Sequence, residues 1–88
     1  MAIKIFIDQG HNPGNPNAGA EGNGLYEQDI TYDVGRLTAE LLRENPEFEV
    51  RLSRNTPTEI LGTSVASSLR ARTDAANSWG ADFFISIH

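Results

Sequence analysis

The sequence contains no cysteine, which excludes both a disulfide framework and a thiolate metal site. It is also poor in basic residues: seven Lys and Arg stand against twelve Asp and Glu, giving a net charge of −5 at pH 7. A protein that follows nucleic-acid phosphates needs a basic face, so this charge argues against a nucleic-acid partner. No apolar run approaches the roughly 18 residues of a membrane-spanning helix. We therefore predict no membrane partner.

The chain has 88 residues, of which 39% are hydrophobic and 22% charged. This composition is typical of one small folded domain. Met1 and Ala2 lead directly into the apolar segment 3–7, without a basic region or a cleavage site, so we predict no signal peptide. At the other end, the apolar run 83–87 stops at His88. We expect residues 1–88 to be the N-terminal portion of a larger single domain, of undetermined oligomeric state.

Hydrophobic periodicity predicts alternating strands and helices. We assign strands to 3–8, 48–52 and 82–87, helices to 25–44 and 65–79, a long loop to 10–24 and a turn to 55–57, and leave 58–64 unassigned. The first strand is apolar on both faces, which favours a buried position in the sheet. The order β-α-β-α-β predicts an α/β fold, with a parallel sheet, right-handed crossovers and helices packed on the sheet.

The helical spacing also predicts which faces point inward. The first helix carries an apolar stripe, and we expect it to face the core: Ile30, Val34, Leu37 and Leu41. In the second helix, we expect the inward residues to be Val65, Leu69, Ala76 and Trp79. Continued backwards by one step, the stripe of the first helix reaches Glu27, which places a carboxylate on the same face in the first helical turn.

Three candidate metal ligands converge on one edge of the predicted sheet. The two histidines of the chain, His11 and His88, each follow a predicted strand, and the carboxyl ends of parallel strands share one edge. The N-terminus of the first helix, with Glu27, reaches that same edge. Two imidazoles and one carboxylate suit a catalytic zinc ion that keeps its fourth position for water. Ordinary alternatives remain, because helix dipoles favour acidic residues in the first turn and strand-end histidines are often structural.

Four segments of the sequence resemble one enzyme family. Residues 5–14, IFIDQGHNPG, resemble the opening strand and D-x-G-H motif of the zinc-dependent N-acetylmuramoyl-L-alanine amidases called amidase 3. Residues 24–30, GLYEQDI, resemble the start of that family's glutamate-bearing helix. Residues 69–77 and 80–88 resemble its stretch L-x-x-R…A-N…A-D-x-F-x-S-I-H, the most specific part. One departure is that Asn12 and Pro13 replace glycines common in relatives.

The resemblance implies a peptidoglycan hydrolase that uses zinc-activated water to cleave the amide between N-acetylmuramic acid and L-alanine. Its zinc ligands would be His11, Glu27 and His88, and its place of action the bacterial cell wall, extracellular or periplasmic, as an autolysin or an endolysin. The family's general-base glutamate lies beyond the position of the second histidine. We therefore assign no catalytic acid or base here, and no substrate-binding residue. These acidic residues do not match that motif position: Glu40, Glu44, Glu47, Glu49 and Glu59.

Two alternative functions stay open: a truncated, non-catalytic fragment that binds zinc or wall material, and another zinc peptidase acting on stem peptides. Around the site, Glu21 lies in a loop too rich in glycine for its placement to be predicted. We expect a structural role for Arg72 and a packing role for Trp79. Asp8 either orients a ligand histidine or caps the loop. The glycines of segment 19–24 match neither phosphate-binding motif, so we predict no nucleotide site.

Overall fold

The computed structural model describes residues 2–88. The elements in chain order are β1 (Ile3–Gln9), β2 (Glu21–Gly22), β3 (Leu25–Tyr26), α1 (Glu27–Arg43), β4 (Phe48–Leu52), α2 (Val65–Trp79) and β5 (Phe83–Ile87). Strands β2 and β3 form a small antiparallel hairpin. β2 lies inside the predicted loop 10–24, whereas β3 takes the first two residues of the predicted helix 25–44, so that α1 begins only at Glu27. Neither helix in this part of the chain is long and apolar enough to cross a bilayer.

The main sheet has three strands in the order β4-β1-β5, and both strand pairs are parallel. Strand β1 is central because its side chains are apolar on both faces, and Ile5, Phe6 and Ile7 are all buried. Ile5 lies opposite Val50 of β4 and Phe83 of β5. The predicted α/β fold with a parallel sheet is therefore confirmed.

The two helices cover opposite faces of this sheet. On one face, Ile5, Ile7 and Val50 form the hydrophobic core with Ala39 of α1. Side chains alternate along a strand, so Lys4 and the other even-numbered residues of β1 point to the other face, where Lys4 Nζ donates to the carbonyl of Trp79 in α2 (3.2 Å). The crossover from β1 to β4 and the crossover from β4 to β5 run in opposite directions across the sheet. Two right-handed crossovers that run in opposite directions place their helices on opposite faces.

The predicted orientation of helix α1 was wrong. The apolar stripe predicted to face the core is exposed, and its last member, Leu41, is 67% exposed. The buried side of the helix consists of small and polar residues: Gln28, Thr31, Gly35 and Ala39. Within residues 2–88, the stripe therefore has no partner element.

The residues on the buried side of α1 are small or polar, so the helix can lie close to β1 and form a hydrogen bond there. Gly35 lies against Gln9 of β1, and a methyl group at Gly35 would overlap Gln9 Cγ and lie 3.1 Å from Cδ. The Thr31 hydroxyl donates to the carbonyl of Gly10 (2.6 Å). Larger apolar side chains at these positions would separate the helix from the strand and break this bond, which explains why the apolar stripe lies on another face.

Helix α2 was partly mispredicted in the same way. Ala76 is buried as expected and Trp79 is half-buried, but Val65 and Leu69 are exposed. The positions that point inward beside Ala76 are polar, Ser68 and Arg72. The ends follow ordinary rules: Ser64 and Ser67 form a capping box, and Gly80 ends the helix in the left-handed conformation.

Substituting Gly35→Ala should destabilise the fold, although alanine favours helix more than glycine. Gln9 cannot move aside, since its Nε2 donates to the Tyr32 carbonyl and its Oε1 accepts from the Arg54 amide. Overpacking of this kind costs about 1–3 kcal/mol, to be measured by urea denaturation. The matched control is Gly14→Ala, where the added methyl meets no atom within 4 Å. Equal stability of both variants would contradict the close contact.

Candidate functional site

The structure brings the three predicted ligands to one edge of the sheet. His11 follows β1, His88 follows β5, and Glu27 is the first residue of α1. His11 Nε2 contacts Glu27 Oε1 directly. The rings of His11 and His88 meet edge to face, with centroids 5.5 Å apart. The sequence argument therefore placed these groups correctly as neighbours.

Contact between these side chains does not by itself form a metal site. In the part of the chain that the structure describes, no three side chains of the His, Asp and Glu types are arranged closely enough to hold an ion. Their chemistry nevertheless suits one. The Nδ1 atom of His11 is buried without a hydrogen-bond partner, whereas Nε2 faces Glu27 Oε1, so a cation bound by both residues would bind His11 through Nε2. The donor set matches zinc, and zinc itself stays a prediction.

The hairpin formed by β2 and β3 positions Glu27. The amide of Glu27 donates to the carbonyl of Ala20 (2.9 Å), which joins the start of α1 to the hairpin. The next side chain, Gln28, is buried and accepts from the amide of Gly19 (3.1 Å). Gly19 has no room for a side chain, because an added methyl would lie 2.8 Å from Glu27 Cβ. These contacts fix the backbone and the Cβ atom of Glu27 at the start of α1.

The backbone around His11 is held in an unusual conformation. His11 has φ +66°, a value that residues other than glycine adopt at a cost of roughly 1–3 kcal/mol and that is enriched at functional sites. The peptide groups on either side are held by hydrogen bonds. Thr31 donates to the carbonyl of Gly10, and Arg72 Nη2 donates to the carbonyl of His11 (3.0 Å).

Arg72 is the centre of a buried polar network beneath the site. It is 1% exposed, and it donates to Asp8 Oδ1 (2.9 Å), to Asn12 Oδ1 (2.9 Å) and to the carbonyls of Gln9 and His11. The fully buried Asn12 side chain in turn donates to the carbonyl of Leu61 and to the Ser68 hydroxyl. The structural role predicted for Arg72 is therefore confirmed.

Asp8 is linked to one of the two candidate histidines, but only through a third residue. Its Oδ2 atom accepts from the Ser86 hydroxyl (3.1 Å), and Ser86 Oγ lies 2.8 Å from His88 Nε2. The other two residues considered in the sequence, Glu21 and Trp79, lie outside this chain of contacts. Glu21 is exposed in the hairpin. Trp79 packs under Arg51, whose guanidinium carbon is 4.7 Å from the ring centroid, so its predicted packing role holds.

The sequence reasoning missed Arg54, which is fully buried. It donates to the carbonyl of Gln28 (2.8 Å), and its guanidinium lies over the ring of Tyr32. Burial lowers the pKa of Arg54 below its ordinary value, and the nearby charge of Arg72 lowers it further. Arg54 follows β4 by two residues, so the strand-end rule that located both histidines would also have located it.

Comparison with known proteins identifies the family. The family model described as N-acetylmuramoyl-L-alanine amidase matches residues 5–88. The chain is 45% identical over 87 residues to the N-acetylmuramoyl-L-alanine amidase CwlM of Bacillus licheniformis, and 44% identical over 87 residues to the sporulation-specific N-acetylmuramoyl-L-alanine amidase of Bacillus subtilis. Each match covers 98% of this chain and 31% of the relative.

Two solved structures share the fold. An N-acetylmuramoyl-L-alanine amidase from Clostridium difficile 630 superimposes with a TM-score of 0.82 at 34% identity, covering 99% of this chain and 43% of that one. The catalytic domain of the amidase CwlV from Bacillus (Paenibacillus) polymyxa var. colistinus gives 0.79 at 30% identity, covering 98% and 44%. The fold matches part of an amidase catalytic domain, and the chain belongs to the N-acetylmuramoyl-L-alanine amidase family.

Substituting Arg72→Leu should lower the free energy of unfolding by about 3–5 kcal/mol, because it leaves the buried Asp8 carboxylate without its partner. Urea denaturation measures the loss, and exposed Arg70→Leu on the same helix should change stability by no more than about 0.5 kcal/mol. The double variant Asp8→Leu with Arg72→Leu should lose less than the two single losses added together. A loss below about 1 kcal/mol for Arg72→Leu would contradict a central role.

Proposed function

We propose that this chain carries the metal-binding part of a zinc-dependent peptidoglycan amidase, with His11, Glu27 and His88 as the ligands. The observation that supports the proposal is the contact between His11 and Glu27 beside the His88 ring, at one edge of the sheet, in a chain of the amidase family. Two imidazoles and a carboxylate form a usual ligand set for catalytic zinc.

The reaction we propose is hydrolysis of the amide between N-acetylmuramic acid and L-alanine in the bacterial cell wall, outside the cytoplasm. The curated relatives are described as N-acetylmuramoyl-L-alanine amidases, which favours this bond over peptide bonds of the stem. When bound, zinc lowers the pKa of water toward neutrality and polarises a carbonyl. The chain spans about a third of the length of these relatives, and we assign no catalytic acid or base to it.

Contacts within the chain position two of the three donors, His11 and Glu27. Thr31 and Arg72 hold the peptide groups around His11, so its backbone keeps one position relative to the sheet. The bond from the amide of Glu27 to Ala20 fixes the first turn of α1. Such preorganisation matters because a metal site needs its donors in place before the ion arrives.

The metal-free chain should bind one zinc ion, as measured by titration calorimetry and by metal analysis after dialysis. His11→Ala, Glu27→Gln and His88→Ala should each weaken zinc binding by more than about 100-fold, the upper end of what loss of a supporting residue costs. Glu40→Gln is the matched control, since Glu40 is an exposed carboxylate of the same helix. Stoichiometric zinc retained by His11→Ala would show that the ligand assignment is wrong.

Zinc-loaded protein incubated with purified sacculi should release stem peptides whose new amino terminus is L-alanine, identified by end-group labelling and mass spectrometry. His88→Ala should abolish the release. A different new amino terminus would identify a peptidase instead. Zinc binding without any cleavage would support the second interpretation, in which these residues form a metal-binding but non-catalytic fragment.

A further inference from the structure

The register between β1 and β5 places three polar side chains in a row beside the candidate site. Asp8 lies opposite Ser86, and His88 follows Ser86 by two residues, so all three share one face of the sheet. Asp8 Oδ2 lies 3.1 Å from Ser86 Oγ, which in turn lies 2.8 Å from His88 Nε2. At the far end, Arg72 holds Asp8 Oδ1 (2.9 Å).

The numbers of donors and acceptors fix the direction of this chain of hydrogen bonds. Arginine only donates, and an ionised carboxylate only accepts, so Asp8 accepts from both Arg72 and Ser86. A serine hydroxyl has a single hydrogen, which Ser86 therefore gives to Asp8. Its oxygen is left to accept, and the remaining donor is Nε2–H of His88. In a neutral imidazole, this leaves the lone pair on Nδ1.

The free nitrogen of His88 faces the backbone next to the other ligand histidine. A methyl group added to Gly10 would lie 2.6 Å from His88 Nδ1 and 2.9 Å from Cε1. The Nδ1 edge of the ring therefore passes over the bare α-carbon of Gly10, the residue before His11. Among residues 2–88, no hydrogen-bond partner of His88 Nδ1 is present.

We propose that Ser86 is a positioning residue. Its hydroxyl, oriented by the Asp8–Arg72 pair, holds His88 in the Nε2–H form and directs the Nδ1 lone pair to the candidate metal site. The proposal rests on the zinc function proposed above. Supporting carboxylates that hold the second nitrogen of a ligand histidine generally act directly, whereas here a hydroxyl carries the interaction across one strand.

The test measures the tautomer of His88 in the metal-free chain, from imidazole nitrogen chemical shifts at a pH where the ring is neutral, together with the zinc Kd. The unsubstituted chain should show Nε2–H. Asp8→Asn is nearly isosteric but turns its amide donor toward Ser86, which frees the hydroxyl hydrogen for His88 Nε2 and shifts the population to Nδ1–H. Ser86→Ala should give a mixture of tautomers, and both variants should weaken zinc binding about 10–100-fold.

Ser86→Thr keeps the hydroxyl and should restore both the tautomer and the zinc Kd, while exposed Ser78→Ala should change neither. Amide spectra establish that each variant is folded, and the tautomer of the unsubstituted chain needs no variant. An Nδ1–H majority in the unsubstituted chain, or an unchanged tautomer in Asp8→Asn, overturns the proposal. If the unsubstituted chain binds no zinc, the zinc site is wrong, and the tautomer spectra alone decide on Ser86.

Discussion

The geometry of the candidate site depends on one buried guanidinium. Arg72 crosses from α2 to the end of β1 and donates to four oxygens, on Asp8, Gln9, His11 and Asn12. Its planar fork suits this task because two nitrogens can each serve two acceptors, which a lysine ammonium on a flexible stem does less well. Since α2 contributes little apolar surface, the network also holds this helix on the sheet.

The same network concentrates buried positive charge at this edge of the sheet. Arg54 and Arg72 are both buried there, and the pKa of Arg54 is lowered by burial and then by the charge of Arg72. Asp8 neutralises Arg72, and Arg54 contacts a backbone carbonyl and the Tyr32 ring, with the negative charges of Asp29 and Glu59 nearby. A divalent cation proposed at this edge therefore needs an anionic donor, which gives a physical reason for Glu27 beside the two neutral imidazoles.

The sequence predicted the convergence of the candidate ligands because parallel strands leave little freedom. Residues that follow neighbouring strands reach the same edge whatever their exact register, and this rule located His11 and His88. Glu27 was located for a reason that was partly wrong. The stripe that pointed to it does not face the core, but Glu27 begins α1, and the amino end of a crossover helix lies at that edge. Its position along the helix mattered more than its face.

The local sequence pattern could not predict which face of α1 is buried, for a specific reason. Periodicity identifies an apolar stripe, but it does not say what covers it. The side that packs on the sheet is fixed by Gly35 against Gln9 and by Thr31 bonded to Gly10, partners more than 20 residues away. In residues 2–88, nine polar or charged residues are buried, compared with six hydrophobic residues. In α1, a close contact with β1 and a hydrogen bond to Gly10 therefore decide which side is buried, and the apolar stripe is exposed within residues 2–88.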